Sequence, residues 1–144
     1  MAAAVAAMMW GVADAPERLT QAVERGLLQP LGAFDFRVAG SSSSNRGSTV
    51  DCTNGEVLIH VVADWLEGEV TVTLRSLGGA EVSYEAIVHR EDAKALSLTR
   101  LPRSPSTGVL VSKLRRLGEA LAAQAPDILS GSDEGHRRLA GLAR

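Results

Sequence analysis

Aromatic side chains are scarce in this chain, with two Trp, one Tyr and two Phe among 144 residues. Without rings to stack bases on, recognition of single-stranded nucleic acid has no platform, and the core must be assembled from Val, Leu, Ala and Ile. Cysteine is nearly absent as well. The single Cys52 excludes an intramolecular disulfide and fits a reducing compartment. Set between polar neighbours in an expected strand, it reads as a buried small hydrophobe with no base beside it to make it a nucleophile. Neither sign of charge dominates: 15 basic and 17 acidic residues give a net charge of −2, a balance that does not favour a phosphate backbone as partner. Long apolar runs are missing too. The Ala-rich start from Met1 to Trp10 falls far short of the roughly 20 residues that span a bilayer. A secretory signal would also need an early positive charge, and the first basic residue is Arg18. The expectation is a cytoplasmic protein without a membrane partner. Residues 1–12 are expected to form a packed or frayed first helix, with a signal peptide or a non-native extension as alternatives.

The recognised chemical motifs are missing as well. There is no Gly-x-x-x-x-Gly-Lys-Ser/Thr loop to cradle a nucleotide and no Gly-x-Ser-x-Gly elbow to expose a nucleophile. Of the three histidines, His89 and His136 sit among charged neighbours, and no spacing places a ligand set around any of them. The expectation is no catalytic residue, no cofactor, no metal and no nucleic-acid partner.

What is present is periodicity. A chain of this length can bury a core of its own, and it is read as a single domain over residues 1–144. Pro16 follows a candidate cap at Asp14 or Ala15, and Leu19, Val23 and Leu27 then recur at helical spacing until Gln29-Pro30. The period next becomes two, at Phe34, Phe36 and Val38. Residues 40–47 (GSSSSNRG) read as a flexible loop. Asn54-Gly55 marks a two-residue hairpin turn between a strand over residues 48–53 and another over 56–66. In the latter, Val57, Ile59, Val61, Ala63 and Trp65 share one face, and Leu58, His60, Val62 and Asp64 the other, so it is expected to be central and largely covered on both sides. Val70, Val72 and Leu74 alternate next, and Val82, Tyr84, Ala86 and Val88 suggest a further strand. Residues 93–96 could form a short helix, and residues 101–105 (LPRSP) read as irregular. Leu110, Leu114, Leu117 and Leu121 restore the helical stripe, and Ser132 or Asp133 could cap a last helix carrying Leu139 and Leu142. The fold class is therefore α+β: a four- to five-stranded antiparallel meander with an N-terminal helix and C-terminal helices packed on one face.

Charge is unevenly divided along the chain. Residues 1–72 hold four basic against nine acidic side chains, and residues 73–144 hold eleven against eight, an arrangement read as internal complementarity. Two local groups stand out. Lys113, Arg115 and Arg116, with Arg100 and Arg103 upstream, read as the solvated side of the leucine-striped helix. Asp64, Glu67 and Glu69 gather at one hairpin end. His60 and Asp64, two apart on one strand face, are able to interact. His60, Asp64, Trp65, Glu67 and Glu69 are therefore the candidate ligand or partner surface.

The hairpin over residues 56–75 (EVLIHVVADWLEGEVTVTLR) and the tail over residues 125–139 (APDILSGSDEGHRRL) resemble small uncharacterised bacterial proteins in which an antiparallel sheet is flanked by N- and C-terminal helices. In general architecture the pattern is also similar to immunity proteins of bacterial toxin systems. The resemblance implies a bacterial, non-enzymatic protein that binds another protein as an immunity-type or accessory factor, and it supplies no catalytic residues to carry over. The alternative is a small-molecule-binding domain with a pocket between sheet and helices. A homodimer would follow from an uncovered edge strand at residues 34–38 or 82–88.

Overall fold

The computed structural model describes residues 15–44, 46–99, 101 and 106–143, with side chains from Arg18 onward. The Ala-rich start, the candidate cap Asp14, Arg100 and residues 102–105 lie outside the described residues. Helix α1 (Ala15–Ala22) carries Pro16 in its first turn, where a missing N–H costs nothing. It continues as a π-type segment, Val23–Leu27, closed by a bond from Leu28 N–H to the Val23 carbonyl. A short 3₁₀ turn, Gly32–Phe34, leads into the sheet.

Five strands follow: β1 (Arg37–Ser43), β2 (Gly47–Thr53), β3 (Val57–Asp64), β4 (Glu69–Ser76) and β5 (Glu81–Ser83). They pair antiparallel in the order of the chain, as an unbroken meander. The helices after them are α2 (Tyr84–Ile87), α3 (Arg90–Leu96), α4 (Thr107–Gln124), α5 (Pro126–Ser130) and α6 (Asp133–Leu142). Ser83, Ser106 and Ser132 cap α2, α4 and α6 by accepting a backbone N–H in the first turn.

The strict alternation of the strands decides where the core lies. Val50 and Cys52 on β2, Val57, Ile59, Val61 and Ala63 on β3, and Val70, Val72 and Leu74 on β4 turn to one face and are buried. The stripe Leu110, Leu114, Leu117 and Leu121 of α4 belongs to the same core cluster, as do Leu19, Val23 and Leu27 from the N-terminal helix. Burying each such side chain contributes roughly 1.5–3 kcal/mol.

Several sequence expectations are corrected in detail. Phe34 belongs to the 3₁₀ turn and Asp35 takes a left-handed conformation (φ 59°), so β1 starts only at Arg37. It then runs through Gly40 to Ser43, which with Gly47 at the head of β2 turns most of the expected loop into a hairpin. Serine needs no burial to occupy an edge strand, and β2 supplies the pairing partners. The alternation at Val82, Tyr84, Ala86 and Val88 does not make a strand beyond Ser83, because the serine side chain caps α2 and redirects the chain. After α4, Pro126 opens the short helix α5, which ends at Gly131 (φ 71°). The face of β3 bearing Leu58, His60, Val62 and Asp64 is half-exposed, not covered, because every described helix lies on the opposite side.

Two glycines set how closely the helices cross. A Cβ on Gly26 would stand 2.6 Å from the Val111 carbonyl oxygen, and one on Gly118 would stand 2.6 Å from that of Leu27. Each helix thus meets the other's backbone at a glycine. Gly118→Ala gains roughly 1 kcal/mol of helix propensity, yet it forces two backbones apart, a strain of about 1–3 kcal/mol. The expected outcome in urea unfolding is a net loss of stability. Gly108→Ala, whose Cβ would meet nothing closer than 3.8 Å, should be neutral or slightly stabilising in the same assay.

Candidate functional site

The outer face of the sheet has no described element packed on it. Its centre is β3, where Leu58, His60, Val62 and Asp64 alternate outward. Register places Asp51 of β2 and Thr73 of β4 on either side of His60. His60 Nδ1 is paired with Asp51 Oδ1, both side chains being a little over a third exposed. The histidine therefore pairs across the strands, and its partner is Asp51 in place of the neighbour Asp64. Next along the face, Thr73 Oγ1 donates to Glu81 Oε1 at 3.2 Å, and Arg75 reaches the other oxygen of Glu81 at 3.3 Å. These two bonds hold the Glu81 carboxyl below its usual range. The polar groups thus cross the sheet from β2 to β5.

Asp64 ends β3 and organises the following turn, its Oδ1 accepting from the N–H groups of Leu66 and Glu67 at 3.1 Å. Its register partner is Glu69, so two carboxylates stand opposite one another, a placement that costs stability. Arg46, from the β1–β2 turn, lies 3.8 Å from both Asp64 and Glu67 and offsets part of that charge. Leu66 projects from the same turn, 69% exposed. Trp65 turns the other way: it packs against the core, and its indole N–H donates to Ser48 Oγ at 3.2 Å. Of the five candidate residues, the structure therefore places His60, Asp64 and Glu69 on the outer face, sets Glu67 at its end and removes Trp65 from it.

A recess of about 310 Å³ adjoins this end of the face, lined by Ser42, Thr49, Arg46, Val62 and Asp64 among others. The space between sheet and helices is by contrast filled, with Val50, Ile59, Val61, Val72, Leu74, Leu110, Leu114 and Leu117 all fully buried there. The basic group of α4 is largely engaged: Lys113 Nζ donates to the carbonyls of Leu96 and Ser97, and Arg115 to that of Arg25. Among the described residues no group of three His, Cys, Asp or Glu side chains could hold a metal, and no helix is long and apolar enough to cross a membrane.

Sequence reasoning missed Asp51. A two-residue loop at Asn54-Gly55 pairs Thr53 with Glu56 and sets Asp51 against Leu58. The observed register pairs Thr53 with Leu58 and Asp51 with His60. The cause is Asn54, whose φ is not positive, and which acts through its side chain: Oδ1 accepts from Glu56 and Val57, and Nδ2 donates to the carbonyls of Phe34 and Leu129. The slip of two residues keeps every side chain on its face and changes only what stands opposite.

Compared with protein-family models, curated proteins and solved structures, the chain matches none of them.

Cys52 lies on the inner face, and its thiol is pushed from 9.0 to about 12 by burial, then by the charges of Asp51 and Glu24. Tyr84 is raised from 10.0 to about 12, mainly by burial. Both groups stay protonated in the fold after their unfolded counterparts begin to ionise. The stability they contribute is therefore intact below pH 9 and is lost progressively between about 9 and 12. Two outcomes are expected: Cys52 resists iodoacetamide at pH 8 until denaturant is added, and Cys52→Ala flattens the alkaline decline measured by urea midpoints.

Proposed function

We propose that this chain is a protein-binding module of the immunity or accessory type, which works by engaging another protein through the outer face of its sheet and not by turnover. The observation that supports it is the one-sided architecture. Every described helix packs on the inner face, while Leu58 and Val62 flank His60 on an outer face that no described element covers. Leu66, more than two-thirds exposed among Asp64, Glu67 and Glu69, extends this surface to the hairpin end. An exposed apolar side chain rimmed by charge has the anatomy of a protein interface. The opposed carboxylates of Asp64 and Glu69 add no stability and suit a partner that brings positive charge. The edge of β1, unpaired among the described residues, lies beside the same face and offers main-chain groups to a partner strand or a second copy.

The test is capture of a stoichiometric partner from the source cells on the tagged chain, followed by titration of the purified pair. Val62→Glu and Leu66→Glu change exposed or half-exposed positions and should leave the circular dichroism spectrum unchanged. Each is expected to weaken binding by about 30-fold or more, as a central interface position does. A partner that binds both variants as tightly as it binds the native chain rejects the outer face. A chain that captures nothing across growth conditions rejects the reading itself.

A further inference from the structure

A second concave surface lies on the far edge of β4. Strand β5 pairs with β4 only as far as Thr73 and Ser83, after which the chain turns into α2. The segment after α3 rejoins the same edge lower down, where Val70 N–H donates to the Leu98 carbonyl and Leu101 N–H to that of Gly68. Between these two closures is a cleft of about 670 Å³, whose walls include Tyr84, Val88, Arg90, Lys94, Leu98 and Thr99. That is the size of a small-molecule site.

Three features of the lining point to one ligand chemistry. Arg90 and Lys94, one helical turn apart on α3, have no side-chain partner among the described residues. The Tyr84 side chain is only 2% exposed, and its oxygen has no hydrogen-bond partner among the described residues. No fully buried side-chain oxygen or nitrogen of those residues is left unsatisfied, so the phenol oxygen keeps some accessible surface, and Tyr84 is one of the cleft's lining residues. With its ionisation pushed up to about 12, this phenol is a hydrogen-bond donor at neutral pH. Val88, Ala93 and Leu98 supply an apolar wall. Glu85 also lines the cleft, so the charged side chains of the described lining are two cations and one anion. That balance suits a single negative charge.

We infer that this cleft binds a small monoanionic carboxylate carried on a compact apolar body, with Arg90 and Lys94 holding the carboxylate, Tyr84 donating to it, and Val88 and Leu98 covering the apolar part. The site is separate from the outer face of the sheet and does not rest on the protein-binding reading.

The experiment is an amide-resolved NMR titration of the full chain with sodium benzoate. Benzyl alcohol serves as the neutral counterpart, inorganic phosphate as the anion without an apolar body, and phenyl phosphate as the dianion. Saturable shifts at Tyr84, Arg90, Leu98 and Thr99 are expected with benzoate and not with benzyl alcohol or inorganic phosphate. Arg90→Gln/Lys94→Gln should weaken benzoate about tenfold or more, and Tyr84→Phe about fivefold, the first removing both cations from the carboxylate and the second a single hydrogen bond to it. Lys94→Gln alone gives the same direction should the double variant fail to fold. The inference is overturned if benzoate gives no saturable shift at these amides, if the charge-removing variants bind it unchanged, or if phenyl phosphate binds more tightly.

Discussion

The packing of one leucine stripe against one face of a β-sheet is what the other elements answer to. Leu110, Leu114, Leu117 and Leu121 present a continuous ridge from α4, and β2, β3 and β4 present Val, Ile, Leu and Ala at every second position. Neither surface is stable in water alone, and together they exclude it. Once α4 lies on the sheet, the N-terminal helix has to cross it closely to cover the rest of β2. The close approach is possible because Gly26 and Gly118 stand at the two contact points. The short helices α2, α3 and α5 then close the margins, contributing Tyr84, Ile87, Leu96, Ile128 and Leu129 to the same cluster. With few rings available, no single large side chain anchors the core. Its cohesion is spread over many aliphatic contacts of small individual size.

How much of this was legible follows from the range of the interactions involved. The inner faces of β3 and β4, the leucine stripe of α4 and the Ser132 cap of α6 were readable because each is a local pattern. The strand that was expected to continue past Val82 failed for an equally local reason. Period-two alternation at Tyr84, Ala86 and Val88 competes with a serine cap at Ser83, and tertiary burial of Ile87 favours the helix. The strand inside the Ser-rich segment was not readable, because nothing in Gly-Ser-Ser-Ser signals an edge and only pairing with β2 creates it. The candidate site lay between these cases. Which face His60, Asp64 and Glu69 occupy was given by parity. That His60 meets Asp51 depends on register and on the turn, which composition does not specify, whereas Trp65 stands on the inner side that parity gave it and bonds Ser48 there.

The two edges of the sheet are managed differently. On the β4 side, β5 and the backbone groups of Leu98 and Leu101 share the work of pairing. On the other side, β1 has no described outer partner, but a bulge between Val38 and Gly40 interrupts its regular edge, a common guard against indiscriminate association. An edge that is guarded but not covered fits selective engagement better than aggregation.

Stability gives no account of the outer face. Exposed pairs such as Arg75–Glu81 and Arg46–Asp64 are each worth about 1 kcal/mol at most, and the opposition of Asp64 and Glu69 works against the fold. A neutral threonine ladder on that face would serve the sheet at least as well. Glu69 stands at the acidic hairpin end, outside the described lining of the cleft. Its placement opposite Asp64 is a cost that the fold alone does not require, and a basic group brought by a partner would remove it.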